Sequence, residues 1–370
     1  MRSVSTLAVA AALMGAVSGP AMAASAFTPT LTYTADPFAV VGADKDDAAT
    51  YTHQVVAGGS YALDPKWSLT VLGAWTAGAS LSEQAVGDIA GVQGVFNNGD
   101  QLWLYQVQVT GTFKQGSITL GRQSAGDAFG ALPVMGQFVN SAFSSNGGAI
   151  SVNDPGRATS PASSWGATGS LTASSAVTLK GGAFLSDPSL FAGGFRGSRL
   201  AFKPGRGVLG FAEADIQLKS GWTLGVGGYA DSADQPRFSG GTADGTHGVY
   251  ASLDAALIPG AKTADPPKLE GFVLMQHAPA DRSPQPWFTA AGLVLTGPHP
   301  ARPKDVLAFA VQSGRIARGA GGGRETTLEL NYLATLNSQW GVRPTVQYVI
   351  GPSGQGGDAW VFGAQLQFGL

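Results

Sequence analysis

Cysteine is absent from the 370 residues, so neither disulfides nor thiolate chemistry can contribute. Charge is scarce: 12% of residues are Asp, Glu, Lys or Arg, with 22 basic against 24 acidic. That excludes a disordered polyelectrolyte and leaves no basic field to hold nucleic acid. Long apolar runs are missing too: hydrophobic residues make up 44% of the chain, yet the mean hydropathy is only +0.09. A membrane helix needs about 20 consecutive apolar residues, so a helical bundle is excluded. No fixed short repeat announces a solenoid, and no linker or charge block marks off a second domain. The histidines, His53, His247, His277 and His299, show no metal-binding spacing, and no G-x-S-x-G motif is present. These absences argue against a hydrolase; no catalytic residue, cofactor or metal is expected. The acidic run Asp44-Lys45-Asp46-Asp47 reads as a solvated loop tip before a Ca²⁺ site.

What is abundant is glycine, with 54 residues, about twice ordinary usage. Each glycine costs about 0.8–1 kcal/mol inside a helix relative to alanine, so the composition turns toward strands. At the N-terminus Arg2 precedes an apolar stretch from Leu7 to Val17, and Ala21-Met22-Ala23 fits a small-x-small cleavage site. Residues 1–23 are expected to be a signal peptide and 24–370 one exported domain.

That domain alternates with a period of two. At the C-terminus Trp360, Phe362, Ala364, Leu366, Phe368 and Leu370 fall on one face, with Gly363, Gln365 and Gln367 on the other. Residues 339–350 repeat the pattern with Trp340, Val342, Pro344, Val346 and Tyr348 outward and Arg343, Thr345 and Gln347 inward. Leu328, Leu330 and Tyr332 likewise oppose Glu329 and Asn331. Such strands suit a barrel wall between lipid and water, where a Lys or Arg facing lipid at mid-depth costs about 2–4 kcal/mol. The same reading sets Trp103, Tyr105, Val107 and Val109 outward against Gln106 and Gln108, and Ala212 and Ile216 outward against Glu213 and Asp215. Strand glycines are expected at small lumen-facing positions and in turns.

Sixteen strands are expected, beginning near Pro29, Thr50, Lys66, Gln101, Gly116, Trp165, Ser175, Arg206, Gly221, Thr246, Pro267, Pro286, Asp305, Arg324, Gln339 and Asp358. Their connections alternate. Tight turns at Asp64-Pro65, Gln115-Gly116, Ser174-Ser175, Ser220-Gly221 and Asn337-Ser338 separate longer segments at 77–100, 124–164, 187–205 and 232–245. Short turns on the periplasmic side and long loops outside are the habit of outer-membrane barrels. The fold class expected is all-β, a transmembrane antiparallel β-barrel.

Particular residues also resemble a known family. Arg302-Pro303-Lys304-Asp305 leading into Val306-Leu307-Ala308-Phe309, then Glu329-Leu330-Asn331-Tyr332, the run from Arg343 to Pro352, and the ending Gln367-Phe368-Gly369-Leu370 are similar to the carbohydrate-selective porins of Gram-negative outer membranes, the OprB type. Leu120-Gly121-Arg122-Gln123, Asp127-Ala128-Phe129 and the run from Phe138 to Phe143 resemble the region where that family leaves a strand for its constriction loop. The resemblance implies passive diffusion of small neutral sugars such as monosaccharides. It also implies contact with outer-membrane lipids and the barrel assembly machinery, and a homotrimer as a possible assembly.

A sugar pore needs hydrogen-bonding groups without a dominant single-sign field, plus aromatic faces. The lining expected from strand parity is Gln106, Gln108, Lys180, Glu213, Asp215, Glu329, Asn331, Arg343, Gln347 and Gln365. Glu329 and Arg343 are alternatively a cross-strand ion pair that stiffens the wall. The segment 124–164, carrying Asp127, Phe129, Phe138, Phe143, Asp154 and Arg157, is expected to fold inward as the constriction, since loops beyond about 12–15 residues usually serve function or are disordered. Its phenylalanines could equally pin it to the wall. Arg122 shares parity with Ile118 and Leu120, which points to lipid; a bulge would re-aim it, and the resemblance favours the lumen. A general diffusion porin, or a barrel without a channel, is the competing reading.

Overall fold

In a computed structural model, residues 26–43, 47–95, 100–143, 148–190, 207–219, 221–258 and 267–370 are described. The expected signal peptide and Asp44, Lys45 and Asp46 lie outside them. Strands run β1 (Phe27–Val41), β2 (Ala48–Ala62), β3 (Trp67–Gly78), β4 (Gln101–Phe113), β5 (Gly116–Gln123), β6 (Ser164–Ser174), β7 (Val177–Leu185) and β8 (Val208–Lys219). They continue as β9 (Trp222–Asp231), β10 (Thr246–Ile258), β11 (Lys268–His277), β12 (Trp287–Thr296), β13 (Val306–Arg315), β14 (Arg324–Thr335), β15 (Trp340–Ile350) and β16 (Ala359–Gly369). Each pairs antiparallel with its neighbours, and β16 closes on β1 from Thr32 opposite Gly369 to Val41 opposite Trp360. Closure leaves no edge strand, which a sheet in lipid requires because nothing there can satisfy open N–H and C=O groups.

The alternation becomes two surfaces. Val226, Leu330 and Phe362 stand 47%, 49% and 45% exposed on the outer face, while Glu213, Glu329 and Gln347 are buried on the inner one. Aromatics gather at both rims: Trp67 packs edge-on to Phe113 and Trp340 against Phe368 at one end, and Tyr348 stacks on Trp360 at the other. These are the girdles expected where a barrel meets the two bilayer interfaces.

Short turns join strands at the rim of Trp67 and Trp340, with local reasons for their tightness. Asp64 Oδ1 accepts from the N–H groups of Lys66 and Trp67, and Asn337 Oδ1 accepts from Gln339 and Trp340, the side-chain-to-backbone bonds that make Asx turns. The longer turn at 297–305 is braced by Arg302 on Asp305 at 2.7 Å, with Tyr332 donating to the same carboxylate at 2.5 Å. The connections at 79–100, 124–163 and 232–245 leave from the opposite rim.

Two expectations about faces are corrected. Between β3 and β4 the register shifts where Leu72 pairs with Gln106 and Gly73 with Leu104, so Tyr105 is an extra residue. This bulge turns Trp103 inward, where its Nε1 donates to the buried Thr76 hydroxyl at 2.9 Å. Tyr105 donates to Asp127, just beyond the end of the neighbouring β5. Strand glycines occupy both faces. Gly182 and Gly227 face inward beneath Phe129 and Tyr250. Gly169, Gly181 and Gly228 lie outward, Gly169 opposite Gly181, and Gly181 and Gly228 on either side of Ala212.

Candidate functional site

Among the described residues, two connections from the long-loop rim enter the barrel, one between Gly78 and Gln101 and one between Gln123 and Ser164, described over residues 79–95 and over 124–143 and 148–163. Apart from short helical turns at Ser82–Val86, Ala125–Ala128, Pro133–Gln137 and Ile150–Asn153, they are irregular, so many of their buried backbone N–H groups need acceptors from elsewhere. The wall supplies them from its inward positions. Glu329 on β14 takes the N–H of Val139 at 2.8 Å and of Asn140 at 2.7 Å. Further toward the long-loop rim in the same inward row, Glu325 takes Ile89, Ala90 and Ser353 at 2.8, 3.2 and 2.8 Å. Asp36 on β1 holds Val95 at 2.9 Å and is itself met by Gln365 Nε2 at 2.9 Å. Gln347 bridges both connections, accepting from Asn140 Nδ2 at 2.9 Å and donating to the Val92 carbonyl at 2.8 Å. The connections also join each other, Ser141 N to the Gly91 carbonyl at 2.9 Å.

On the opposite wall the anchor is aromatic. Phe129 is 1% exposed, stacked on Phe211 at 4.8 Å and edge-on to Phe184 at 6.2 Å. Beside it Glu213 takes the Gly130 N–H at 2.8 Å, the Tyr250 hydroxyl at 2.6 Å and Lys180 at 2.8 Å. Gly130 has φ +66°, a conformation that favours glycine and brings its N–H onto the carboxylate. Gln276 on β11 holds Ala149 N at 2.7 Å. A Cβ on Gly148 would come within 2.5 Å of the same Gln276 oxygen.

Above this, Asp154 is fully buried facing Asp231, whose carboxylate accepts from Ser186. Burial, then the neighbouring Asp231, pushes the Asp154 carboxyl up to about 8, because a second negative charge in a desolvated site disfavours ionisation. Arg157, also fully buried, donates to the Phe129 carbonyl at 2.8 Å and to Ser151 at 3.1 Å.

Between the two connections a cavity of about 620 Å³ remains open in the lumen. It is lined by the amides of Gln54, Gln93 and Gln285, the hydroxyls of Ser80, Ser141 and Ser160, the rings of Tyr105 and Phe288, and the acids Glu83, Asp88 and Asp127. Amides, hydroxyls and two aromatic faces are what a sugar ring can use, polar groups on its hydroxyls and rings on its C–H faces.

The sequence profile of the carbohydrate-selective porin family, OprB, matches residues 63–370. The chain belongs to this family. It is an outer-membrane porin for sugar diffusion, a channel and not an enzyme. The fold agrees: OprB of Pseudomonas putida in its high-pH structure superposes with a TM-score of 0.85 at 20% identity, over 93% of this chain and 94% of that one. Its low-pH structure gives 0.60 at 17% identity, covering 93% of each. A loop-deleted OmpT of Vibrio cholerae gives 0.52 at 11% identity, over 93% of this chain and all of that one. None of the curated proteins shows a significant sequence match.

The residues expected to line this OprB-family pore take different places. Asp127 lines the opening, its carboxylate accepting from Tyr105 at 2.8 Å. Glu213, Glu329, Asn331, Arg343, Gln347 and Gln365 point into the barrel as parity requires, but they bond to the connections or to one another. Glu329 is therefore engaged with Val139 and Asn140 instead of pairing with Arg343, whose guanidinium donates to Gln365 at 3.2 Å and Gln137 at 3.4 Å. Lys180 bridges Glu213 and Asp215 at 2.8 and 2.6 Å; Gln106 and Gln108 are half-buried and face the lumen. Phe129 is a pin in the wall. Arg122 keeps the outward row, opposite Val107 and Trp165. Its guanidinium is buried on Ser163, donating from Nε to the hydroxyl at 3.1 Å and from Nη2 to the carbonyl. It ties the returning end of the connection to the wall. Glu325, Asp36, Glu83 and Asp88 escaped the sequence reading. The first two carry the same inward parity as Glu329 and Phe38, a signal that was there to be used.

Proposed function

We propose that the connection at 124–163, buttressed by the one at 79–100, is the constriction of this porin and makes it selective for monosaccharide-sized neutral sugars. The observation that carries this is the row of wall acceptors, Glu329, Gln347, Glu213 and Gln276, each satisfying a group of the connections. An open sixteen-stranded barrel leaves a wide aqueous channel; a connection bonded to both walls divides it. The opening left between them offers amides, hydroxyls, Tyr105 and Phe288, so a sugar exchanges its hydration shell for weak contacts that allow it to leave again.

The chain reaches its membrane after removal of residues 1–23 and folds with the barrel assembly machinery, its apolar outer face meeting outer-membrane lipids. Three copies assemble as a homotrimer, the common arrangement of sixteen-stranded porins. In planar bilayers, glucose is expected to reduce the ion current in a saturable way. Conductance unaffected by glucose up to high millimolar concentrations would replace this reading with a general diffusion porin.

A further inference from the structure

The outer face of the barrel carries a basic pair. At the long-loop rim Arg315, the last residue of β13, stands directly opposite Arg324, the first of β14. Both are exposed, and both lie in the lipid-facing row, Arg315 after Leu307, Phe309 and Val311 and Arg324 before Leu330. Arg324 donates from Nη1 to Ser313 Oγ at 2.8 Å, and Ser313 shares a further bond with Thr326 at 3.0 Å, which draws the Arg324 guanidinium over β13. Among the described residues neither arginine has an acidic partner: Asp281 is taken by Arg237 and Arg282, Asp358 by Tyr348, and Glu325 points into the lumen. Like charges directly opposite on neighbouring strands repel, so the pair is at rest only with an anion beside it. Exposed Trp287, opposite Arg315 on β12, sets its depth at the aromatic girdle, where lipid headgroups lie. At this end of the barrel no other described strand presents an exposed Lys or Arg.

We infer that Arg315 and Arg324 form a binding site for a phosphate group of an outer-leaflet glycolipid. Facing residues of an antiparallel pair hold their Cβ atoms about 5 Å apart, so two guanidiniums there can each turn paired N–H groups on one phosphate, a fork that a lysine pair does not match. The anion converts the repulsion between the arginines into attraction for itself. Arg318, exposed in the turn between the two strands, adds positive charge to the same connection. Directly beneath, exposed Leu307, Phe309, Val311 and Leu330 continue the same face toward mid-membrane and give acyl chains an apolar track. A free phosphate would meet the arginines alone; the track selects a phosphate carried on a lipid. Because the protein supplies the positive charge, this contact needs no bridging divalent cation and survives a chelator.

The test uses the full mature barrel, folded in detergent with chelator present and titrated with bisphosphorylated lipid A or with the same lipid dephosphorylated, bound lipid being counted by native mass spectrometry. The phosphorylated lipid is expected to bind about tenfold more tightly, the size of effect that hydrogen bonds to a charged group give. The double variant Arg315→Gln, Arg324→Gln should lose that preference. Arg315→Gln alone, whose side chain has no bond among the described residues, should reduce it about threefold and supplies the reading if the double variant does not fold. Replacing two exposed lysines at the short-turn rim, Lys66→Gln with Lys114→Gln, is expected to leave binding unchanged. Heat-modifiable migration and wild-type conductance confirm the barrel in each variant. The inference is overturned by equal binding of the two lipids, by a preference that persists in the folded arginine variants, or by an equal loss in the lysine variant. Displacement of the lipid by millimolar inorganic phosphate would also overturn it, assigning the pair to free phosphate.

Discussion

The two walls hold the same connection by different physics. On β14 and β15 the contacts are polar: Glu329 and Gln347 satisfy groups of residues 139 and 140 across about 190 to 207 positions of sequence. On β7 to β10 the contact is a ring, Phe129, enclosed by Phe184, Phe211 and Tyr229 with Glu213 beside it. A ring in an aromatic nest is stabilised by burial and tolerates small displacements. A carboxylate accepting two N–H groups fixes position and loses its value quickly with distance or angle. The polar wall therefore sets where the connection lies, and the aromatic wall sets how firmly it stays.

Removing the ring should have the largest effect. Phe129→Ala empties a closed nest and is expected to cost about 3–5 kcal/mol of docking, read as frequent large openings in single-channel records and faster proteolysis of the connection in intact barrels. Unchanged records would mean the nest is incidental. Glu329→Ala comes next, because it leaves two buried N–H groups without an acceptor at about 1–3 kcal/mol each. It should widen the conductance distribution, and Glu329→Gln should recover part of the loss. Smallest, at no more than about 1.4 kcal/mol for each unit of pH, is the pH effect. Asp154, raised to about 8 beside Asp231, holds its proton when docked and gives it up when released. Docking is thus fully supported below the ordinary carboxylate range, weakens progressively as pH climbs, and levels off above about 8. Channel noise should increase with pH over that window, and Asp154→Asn should flatten the dependence; a slope that survives this replacement would place the titrating group elsewhere.

The barrel was readable because its rule is local. Alternation in β14, β15 and β16 needs only neighbouring residues, and the expected starts at Arg324, Gln339 and Asp358 fall within one residue of those observed. The rule failed at Tyr105, where one inserted residue reverses every face beyond it. Nothing in the residue types around Trp103 signals that insertion. The site was readable by orientation and not by role. Parity put Glu213, Glu329 and Gln347 inward correctly, yet whether an inward carboxylate meets water or a backbone N–H depends on a connection arriving from far along the chain. The same connection covers those residues and hands the opening to Glu83, Asp88 and Tyr105, which strand parity alone does not select.

The central claim, that side chains of both walls hold the inner connections and thereby restrict the pore, is tested most directly by the single-channel conductance of Phe129→Ala combined with Glu329→Ala. The barrel's closure does not depend on either residue, so folded, heat-modifiable protein is expected with a conductance severalfold above wild type and glucose block lost. A folded double variant with wild-type conductance and intact glucose block would contradict it.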